Sequence, residues 1–238
     1  MDGLGRLSRV VFDAPDVARL ASFYADVAGW PEEPGSEGPV LSSPAGPVLA
    51  FQPVARHVPP QWPGQERPHQ VHLDLDVTVL APAAERAIAL GGTELGGGAY
   101  WRTLADPAGH PFDLCEEGAR PPMSRLWVSI DAPVPSRLAR FYSGLLGLDV
   151  THDNRAGAAI GAGGPLTVCF QPVTGYRGPR WPDPAYPQQA HLDVVVEDLE
   201  RAVTWVTERG AVHLADGPDG PVLADPAGHP FCLHPRST

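Results

Sequence analysis

The sequence predicts an α+β protein in which one domain occurs twice. Two observations carry this prediction: a long internal repeat, and a recurring order of strand, helix and strands. The segment Leu104–Phe112 recurs unchanged as Leu223–Phe231, 119 residues later, and His72–Asp74 recurs at the same offset. Solenoid repeats have periods of about 20 to 50 residues, so a repeat of this length is a duplicated whole domain.

Each copy has the size of an ordinary domain. Upstream of residue 30 the offset falls to 118, so that Asp13–Pro15 matches Asp131–Pro133 and Gly29 matches Gly147. We place the first domain at residues 1–118 and the second at residues 123–238. The short link between them contains two adjacent prolines, which favour a stiff spacer. We expect the two copies to superpose, with the break near residues 118–123.

Within each copy the elements follow one order. A short apolar strand, at 7–12 or 126–130, precedes a helix with apolar residues at helical spacing. Gly29 and Gly147 stand after this helix, where a left-handed residue is favoured. Further strands, a proline-rich loop with a Trp-Pro pair, a strand, a second helix and two final strands complete the copy. The strand–helix–strands unit therefore occurs four times in the chain.

Alternation along the strands predicts two chemically different sheet faces. In the strand 72–77 the leucines and the valine share one face, whereas His72, Asp74 and Asp76 share the other. The last strand of each copy alternates in the same way. Because the apolar face packs under helices, we expect the polar face to line a concave cup.

Composition argues against nucleic acids and membranes as partners. The chain has 17 Lys and Arg against 28 Asp and Glu, a formal net charge of −11. No apolar run approaches membrane-spanning length, and the N-terminus lacks an apolar secretory core. The three cysteines occupy no equivalent repeat positions, so we expect no disulfide framework and a cytoplasmic location.

Taken in order, these motifs resemble the vicinal oxygen chelate superfamily of glyoxalases, bleomycin-resistance proteins and extradiol dioxygenases. The resemblance rests on the Phe-Tyr pair of the first helix, the His-Leu-Asp strand and the Asp-Pro-Ala-Gly-His-Pro-Phe turn, present in both copies. The Trp-Pro…Gln-x-His-Leu-Asp stretch is similar to the glyoxalase-like subgroup. The resemblance implies two tandem domains, each of paired βαβββ modules that close a mixed, helix-covered sheet into a cup.

The resemblance also implies where a metal would bind, because enzymes of the superfamily usually take their ligands from three cup positions. Carried over residue by residue, these are Arg9, His72 and Asp113 in the first copy, and Trp127, His191 and Cys232 in the second. Neither group of three is the usual set of metal ligands in the superfamily. Arginine stays protonated and tryptophan offers only an N–H donor, so neither of these residues can bind a metal.

Two expectations follow for the cups. In the first copy, we expect Arg9 to supply the positive charge in place of a metal and to hydrogen-bond to Asp113, with His72 alongside. In the second copy, we expect the more ligand-competent cup, built from Trp127, Ser129, His191, Cys232 and His234.

Several side chains have two open interpretations. His72 and His191 are the candidates for catalysis or ligand contact, but each is equally well explained as a structural histidine. Trp62 and Trp181 either stack on an aromatic ligand or close the end of the barrel. The odd spacing of His69 and His72 predicts opposite strand faces, which disfavours a chelating pair.

The histidines of the repeated turns, His110 and His229, are better explained as turn caps than as catalytic groups. Cys232 has two interpretations. It is either part of a soft metal pair with His234 or a reactive thiol, or it is a small buried hydrophobe. The second interpretation is favoured, because lone cysteines are usually buried.

We predict a small-molecule-binding protein whose ligand, an aromatic or amphipathic compound, lies in a cup or between domains without a complete metal triad. The alternative is a lyase, isomerase or dioxygenase of the same superfamily that uses Zn, Fe, Mn or Ni. Its ligands would come from His72, Asp113, His191 and Cys232. Whether the chain is an enzyme stays open, as does the choice between a monomeric pseudo-dimer and a homodimer. A purely structural partner is a third hypothesis, which the polar cup faces disfavour.

Overall fold

The computed structural model describes residues 3–35, 38–43, 46–116, 126–161 and 163–236. The predicted break near residues 118–123 lies outside these ranges. The described residues form sixteen strands and four helices, arranged as four successive βαβββ modules. No helix in these ranges combines the length and apolarity needed to cross a bilayer.

The first two modules come from the first copy. Module 1 consists of β1 (Gly5–Ala14), α1 (Val17–Ala28), β2 (Glu32–Pro34), β3 (Pro39–Ser42) and β4 (Val48–Pro53). Module 2 consists of β5 (His72–Val77), α2 (Leu80–Ala89), β6 (Thr93–Gly97), β7 (Trp101–Ala105) and β8 (Pro111–Glu116).

The second copy supplies the other two modules. Module 3 consists of β9 (Leu126–Ala132), α3 (Pro135–Leu146), β10 (Val150–Asn154), β11 (Gly157–Ile160) and β12 (Leu166–Pro172). Module 4 consists of β13 (Ala190–Val196), α4 (Leu199–Glu208), β14 (Val212–Gly217), β15 (Gly220–Ala224) and β16 (Pro230–Pro235).

The modules pair across the two copies to give two mixed eight-stranded sheets. Modules 4 and 1 form the first sheet, in the order β14-β15-β16-β13-β1-β4-β3-β2. Modules 3 and 2 form the second, in the order β10-β11-β12-β9-β5-β8-β7-β6. We call their concave faces the first cup and the second cup. At each centre two strands from different copies run antiparallel, β1 against β13 and β5 against β9.

The predicted fold class is therefore confirmed, but the expectation that each copy closes its own cup is wrong. The duplication explains the error, because β5 and β13 carry the same His-Leu-Asp pattern and offer β1 the same pairing surface. Strand patterns cannot distinguish the two partners. The domain limits 1–118 and 123–238 stay a prediction about sequence units, and the sheets do not follow them.

Local sequence explains how the first helix of each copy begins and ends. The Asp16 side chain caps α1 by accepting a hydrogen bond from the Arg19 backbone at 3.0 Å. Pro135 begins α3, where its missing N–H costs nothing. Gly29 and Gly147 follow these helices with φ of 69° and 67°, as predicted for a left-handed C-terminal residue.

The alternating strands divide their side chains as predicted. Phe12 on β1 and Leu73 on β5 are fully buried in the core, which the helices cover. Tyr24 of α1 and Tyr142 of α3 are fully buried in the same layer. The neighbouring polar residues therefore lie on the opposite, concave face of each sheet.

The repeated Asp-Pro-Ala-Gly-His turns anchor these tyrosines. The Tyr24 hydroxyl donates to Asp106 at 3.0 Å, and His110 Nδ1 lies 2.9 Å from the same carboxylate. Tyr142, Asp225 and His229 repeat the arrangement in the other copy, with distances of 3.0 and 3.1 Å. Both histidines are about 1% exposed and sit in the turn, which supports a structural role for them.

Candidate functional site

The first cup contains a cavity of about 430 Å3 with a mixed polar and aromatic lining. Strand β1 contributes Arg9, and the loop that precedes β13 contributes Trp181. Module 4 contributes His191, Asp193, Asp219, Cys232 and His234 to the polar wall, and Gln52 of β4 and Gln188 complete it. The cavity thus combines residues of the first copy with residues of the second.

A chain of four polar side chains crosses the floor of this cup. Gln188 Nε2 lies 3.4 Å from Asp13 Oδ2 and 2.8 Å from His191 Nδ1. His191 Nε2 in turn lies 3.4 Å from Asp193 Oδ1. Asp13, His191 and Asp193 are all at least 94% buried, so the contacts form away from bulk water. We call this the first carboxylate–histidine chain.

The contacts of Gln188 indicate which ring nitrogen of His191 accepts a hydrogen bond. Ionised Asp13 can only accept hydrogen bonds, so the Gln188 amide presents its NH2 group to it. The same NH2 group donates to His191 Nδ1, which must therefore carry the lone pair. In a neutral imidazole that accepts at Nδ1, Nε2 carries the proton, and this atom lies 3.4 Å from Asp193 Oδ1.

Asp193 collects three cationic or donor groups. His191 and His234 approach Oδ1 at 3.4 and 3.1 Å, and the Arg9 guanidinium lies 3.9 Å from Oδ2. Burial opposes ionisation, but the hydrogen bonds from His191 and His234 outweigh it and hold the pKa of Asp193 well below its usual range. The hydrogen bond to Asp193 raises the pKa of His234 against the opposing effect of burial.

Two other groups of the first cup have pKa values above their ordinary ones. Burial is the largest cause of the raised pKa of Asp13, which the Gln188 hydrogen bond partly offsets. Burial, reinforced by the Asp193 charge, also raises the pKa of the Cys232 thiol far above its ordinary value. Cys232 is therefore a thiol and not a reactive thiolate.

The second cup repeats the chain with different residues. His69 Nε2 lies 3.4 Å from Asp131 Oδ2 and 3.1 Å from His72 Nδ1, and His72 Nε2 lies 3.4 Å from Asp74. Burial lowers the pKa of His69. The pKa of His72 is raised, because its hydrogen bond to Asp74 and the neighbouring carboxylates outweigh burial. His69 thus takes the place that Gln188 has in the first cup.

Trp127 and Ser129 belong to this second cup. They lie on β9, opposite Asp74 and His72 of β5, and both are at least 94% buried. The Ser129 hydroxyl donates to Asp74 at 3.3 Å. The expected cluster of Trp127 and Ser129 with His191 is therefore wrong, because these residues lie in different sheets.

The expected pair of Arg9 and Asp113 is wrong for the same reason. Arg9 lies on β1 of the first sheet, whereas Asp113 lies on β8 of the second, beside Asp74. The partner of Arg9 is Asp193, from the other copy, and the Arg9 side chain is still 43% exposed. The three cup positions are in fact Arg9, His191 and Cys232 in one cup, and Trp127, His72 and Asp113 in the other.

The two Trp-Pro loops differ in what they line. Trp181 borders the first cup, whereas Trp62 lies against Gly96 of β6 and borders an open groove beside the turn 105–109. The predicted separation of His69 and His72 is also wrong. His69 precedes the first residue of β5, so strand alternation does not govern its direction.

Sequence reasoning missed Asp13, Gln188 and Asp193 as site residues. A signal for two of them was present, since Asp13-Ala14-Pro15 and His191-Leu192-Asp193 are both repeated motifs. Alternation puts Asp193 on the face of His191. The role of Gln188 depends on the path of a loop, which the pattern does not encode.

Donor atoms that could surround a metal converge in both cups. Among the described residues, His191, Asp193 and Cys232 form one group and His72, Asp74 and Asp113 form another, each with donor atoms within 4.8 Å of one another. A metal requires deprotonated ligands. In the first cup, burial holds Cys232 as a thiol, so a metal would have to displace its proton.

The comparisons with known proteins agree on the family and fold. A family model described as a glyoxalase-like domain matches residues 9–115 and again 127–234. Glyoxalase I from Zea mays is 15% identical, with a TM-score of 0.62, over 97% of this chain and 92% of its own. A protein from Bacillus subtilis provisionally described as a dioxygenase is 12% identical, with a TM-score of 0.59, over 100% and 87%.

A search of curated proteins returned no significant match. At these identities the structural likenesses establish the shared fold alone.

Proposed function

The chain belongs to the glyoxalase-like domain family, and on that premise we propose that its first cup binds a small organic molecule without a metal. The proposal rests on one contact: Gln188 Nε2 lies 2.8 Å from His191 Nδ1, and a neutral ring that accepts at Nδ1 carries its proton on Nε2, the atom that a metal would need. The half-exposed Arg9 guanidinium then offers N–H donors to a ligand.

The lining indicates what such a ligand carries. Trp181 offers a half-buried aromatic face, on which a planar ring can stack. The Arg9 side chain is 43% exposed, and its contact with Asp193 is long, at 3.9 Å. Guanidinium N–H groups of Arg9 are therefore left for an acceptor on the ligand. Asp193 is already contacted by His191 and His234. We therefore expect an aromatic compound whose carboxylate or carbonyl oxygen faces Arg9.

A small, mixed cavity suits this role. Ligand sites have volumes of roughly 300–1,000 Å3 and combine apolar walls with a few placed polar groups. The first cup, at about 430 Å3, falls in this range.

A metal-dependent lyase, isomerase or dioxygenase is the second candidate, favoured by the convergence of His191, Asp193 and Cys232 within 4.8 Å. A metal there would have to displace the protons of His191 and Cys232. Metal analysis of protein purified without a histidine tag separates the two candidates. We expect well under one Zn, Fe, Mn or Ni per chain, whereas stoichiometric metal, lost in Asp193→Asn, would establish the second candidate.

Ligand-observed NMR with benzoate, 1-naphthoate and 1-naphthamide tests binding directly. We expect 1-naphthoate to bind, and Arg9→Met and Trp181→Leu each to weaken binding. Trp62→Leu is the matched control, because Trp62 holds the equivalent position in the other copy and lines no part of this cavity. Equal loss in Trp62→Leu, or undiminished binding in both first-cup variants, would contradict the assignment.

A further inference from the structure

A second cavity, of about 400 Å3, lies where the two proline-rich loops meet. It shares no lining residue with the first-cup cavity. We propose that this cavity, which we call the inter-loop site, binds a small hydroxy acid through its arginines and Gln189. The proposal is independent of what the first cup binds.

The lining shows that the two copies have diverged at this place. Pro68 and Gln70 of the first copy face their counterparts Pro187 and Gln189 of the second. The two copies differ in charge at this place. The second copy has Arg177 where the first has Val58, and Arg180 where the first has Gln61. The second copy thus contributes two cations that the first copy lacks.

The result is a cationic cavity on an acidic protein. Arg67, Arg177 and Arg180 line it, together with a single carboxylate, Glu66. Among the described residues none of these arginines forms an ion pair. The Arg180 guanidinium lies over the Tyr186 ring, 3.2 Å from its centroid, which holds its charge at the cavity. Clustered guanidinium groups of this kind recognise carboxylate and phosphate oxygens.

Gln189 supplies an independent sign that a ligand is missing. Its counterpart Gln70 is satisfied, because Gln70 Oε1 accepts from the backbone N–H groups of Gln189 and Ala190 at 2.8 and 3.0 Å. Gln189 is 6% exposed, and its Oε1 has no hydrogen-bond partner in the described structure. A buried unpaired acceptor costs about 1–3 kcal/mol. An O–H donor on the ligand would satisfy it.

These features together define the ligand class. The arginines require an oxyanion, and Gln189 Oε1 requires a hydroxyl close to it. A hydroxy dicarboxylate meets both requirements, whereas a dicarboxylate without the hydroxyl meets only the first. Inorganic phosphate meets the charge requirement without an organic framework.

Calorimetric titration of the full chain with L-malate, succinate and inorganic phosphate tests the proposal. We expect L-malate to bind about tenfold more tightly than succinate, the equivalent of one hydrogen bond of about 1.4 kcal/mol. Raising the salt concentration should weaken binding, because the arginines are partly exposed.

Variants locate the binding. Arg177→Val restores the residue of the first copy at that position, so we expect it to fold and to bind L-malate at least about tenfold more weakly. Gln189→Met should bring L-malate down to the affinity of succinate. Arg201→Gln, an exposed arginine on α4, is the control for net charge and should bind as the unaltered chain does.

Three results would overturn the proposal. These are an absence of L-malate binding, equal affinities for L-malate and phosphate, and an equal effect of Arg177→Val and Arg201→Gln. Because Arg9 lines the first cup and not the inter-loop site, undiminished L-malate binding in Arg9→Met separates this site from the proposed function.

Discussion

The Asp225 carboxylate accepts hydrogen bonds from three residues of the second copy, and its removal is our first prediction. The side chain is fully buried and accepts four hydrogen bonds. The donors are the Tyr142 hydroxyl at 3.0 Å, the backbone of Ala227 at 2.7 Å, and His229 through its backbone at 3.0 Å and its Nδ1 at 3.1 Å. Asp225→Ala leaves all four donors without this acceptor.

The cost follows from these contacts. Each buried donor left unpaired costs about 1–3 kcal/mol, but part of this is recovered as the turn relaxes and water enters. We therefore expect Asp225→Ala to lower the free energy of unfolding by about 3–5 kcal/mol, and Asp225→Asn, which keeps an acceptor for the two backbone N–H groups, by about half as much.

Equilibrium unfolding in urea, followed by tryptophan fluorescence and circular dichroism together, measures this cost. The matched control is Asp216→Ala, whose side chain is 89% exposed although it also pairs with a histidine, His213, at 2.9 Å. An exposed pair contributes about 0–1 kcal/mol, so the control should change stability little. A loss below about 1 kcal/mol in Asp225→Ala would refute a structural role for the repeated turn.

Two further predictions concern the cup and a helix end. The pKa of His234 is raised above 6.5 by Asp193, so its contribution to stability is present below pH 6.5 and is lost as the pH rises through the folded-state pKa. NMR titration of the imidazole should show this pKa falling in Asp193→Asn, and an unchanged value would contradict the contact. Gly147→Ala should destabilise the chain by about 1–2 kcal/mol in thermal unfolding, because φ is 67° at this residue. Ser143→Ala, in the preceding turn of the same helix, should cost much less, and equal costs would contradict the argument.

The elements of this fold were predictable because local physics determines them. Alternation placed Leu73 and His72 on opposite faces of β5, and the glycine after each first helix marked its end. The pairing of the modules was not predictable in this way. With β5 and β13 nearly equivalent in sequence, the choice of partner for β1 depends on the connecting segments and not on the strand patterns.

The wrong grouping of the cup residues follows from that one choice. His72, His191, Arg9 and Asp113 do face cups, as the alternation indicated. Their grouping was wrong because each cup takes one module from each copy. Asp193, which pairs with Arg9, was consequently absent from the predicted site.

The central claim, that each cup is assembled from both copies, is tested most directly by engineered disulfides. Arg6 and Val195 are paired across β1 and β13, and antiparallel partners have Cα separations of about 4.5–5.5 Å, within disulfide range. Asp76 holds the position of Val195 in the first copy but lies in the other sheet.

The two double variants, Arg6→Cys with Val195→Cys and Arg6→Cys with Asp76→Cys, are oxidised and mapped by peptide mass spectrometry. Both variants also carry Cys115→Ala, because Cys115 of β8 pairs with Asp76 of β5. We expect the 6–195 cross-link to form within the monomeric chain and the 6–76 cross-link not to form. A 6–76 cross-link without the 6–195 cross-link would show that each copy closes its own cup and would contradict the account.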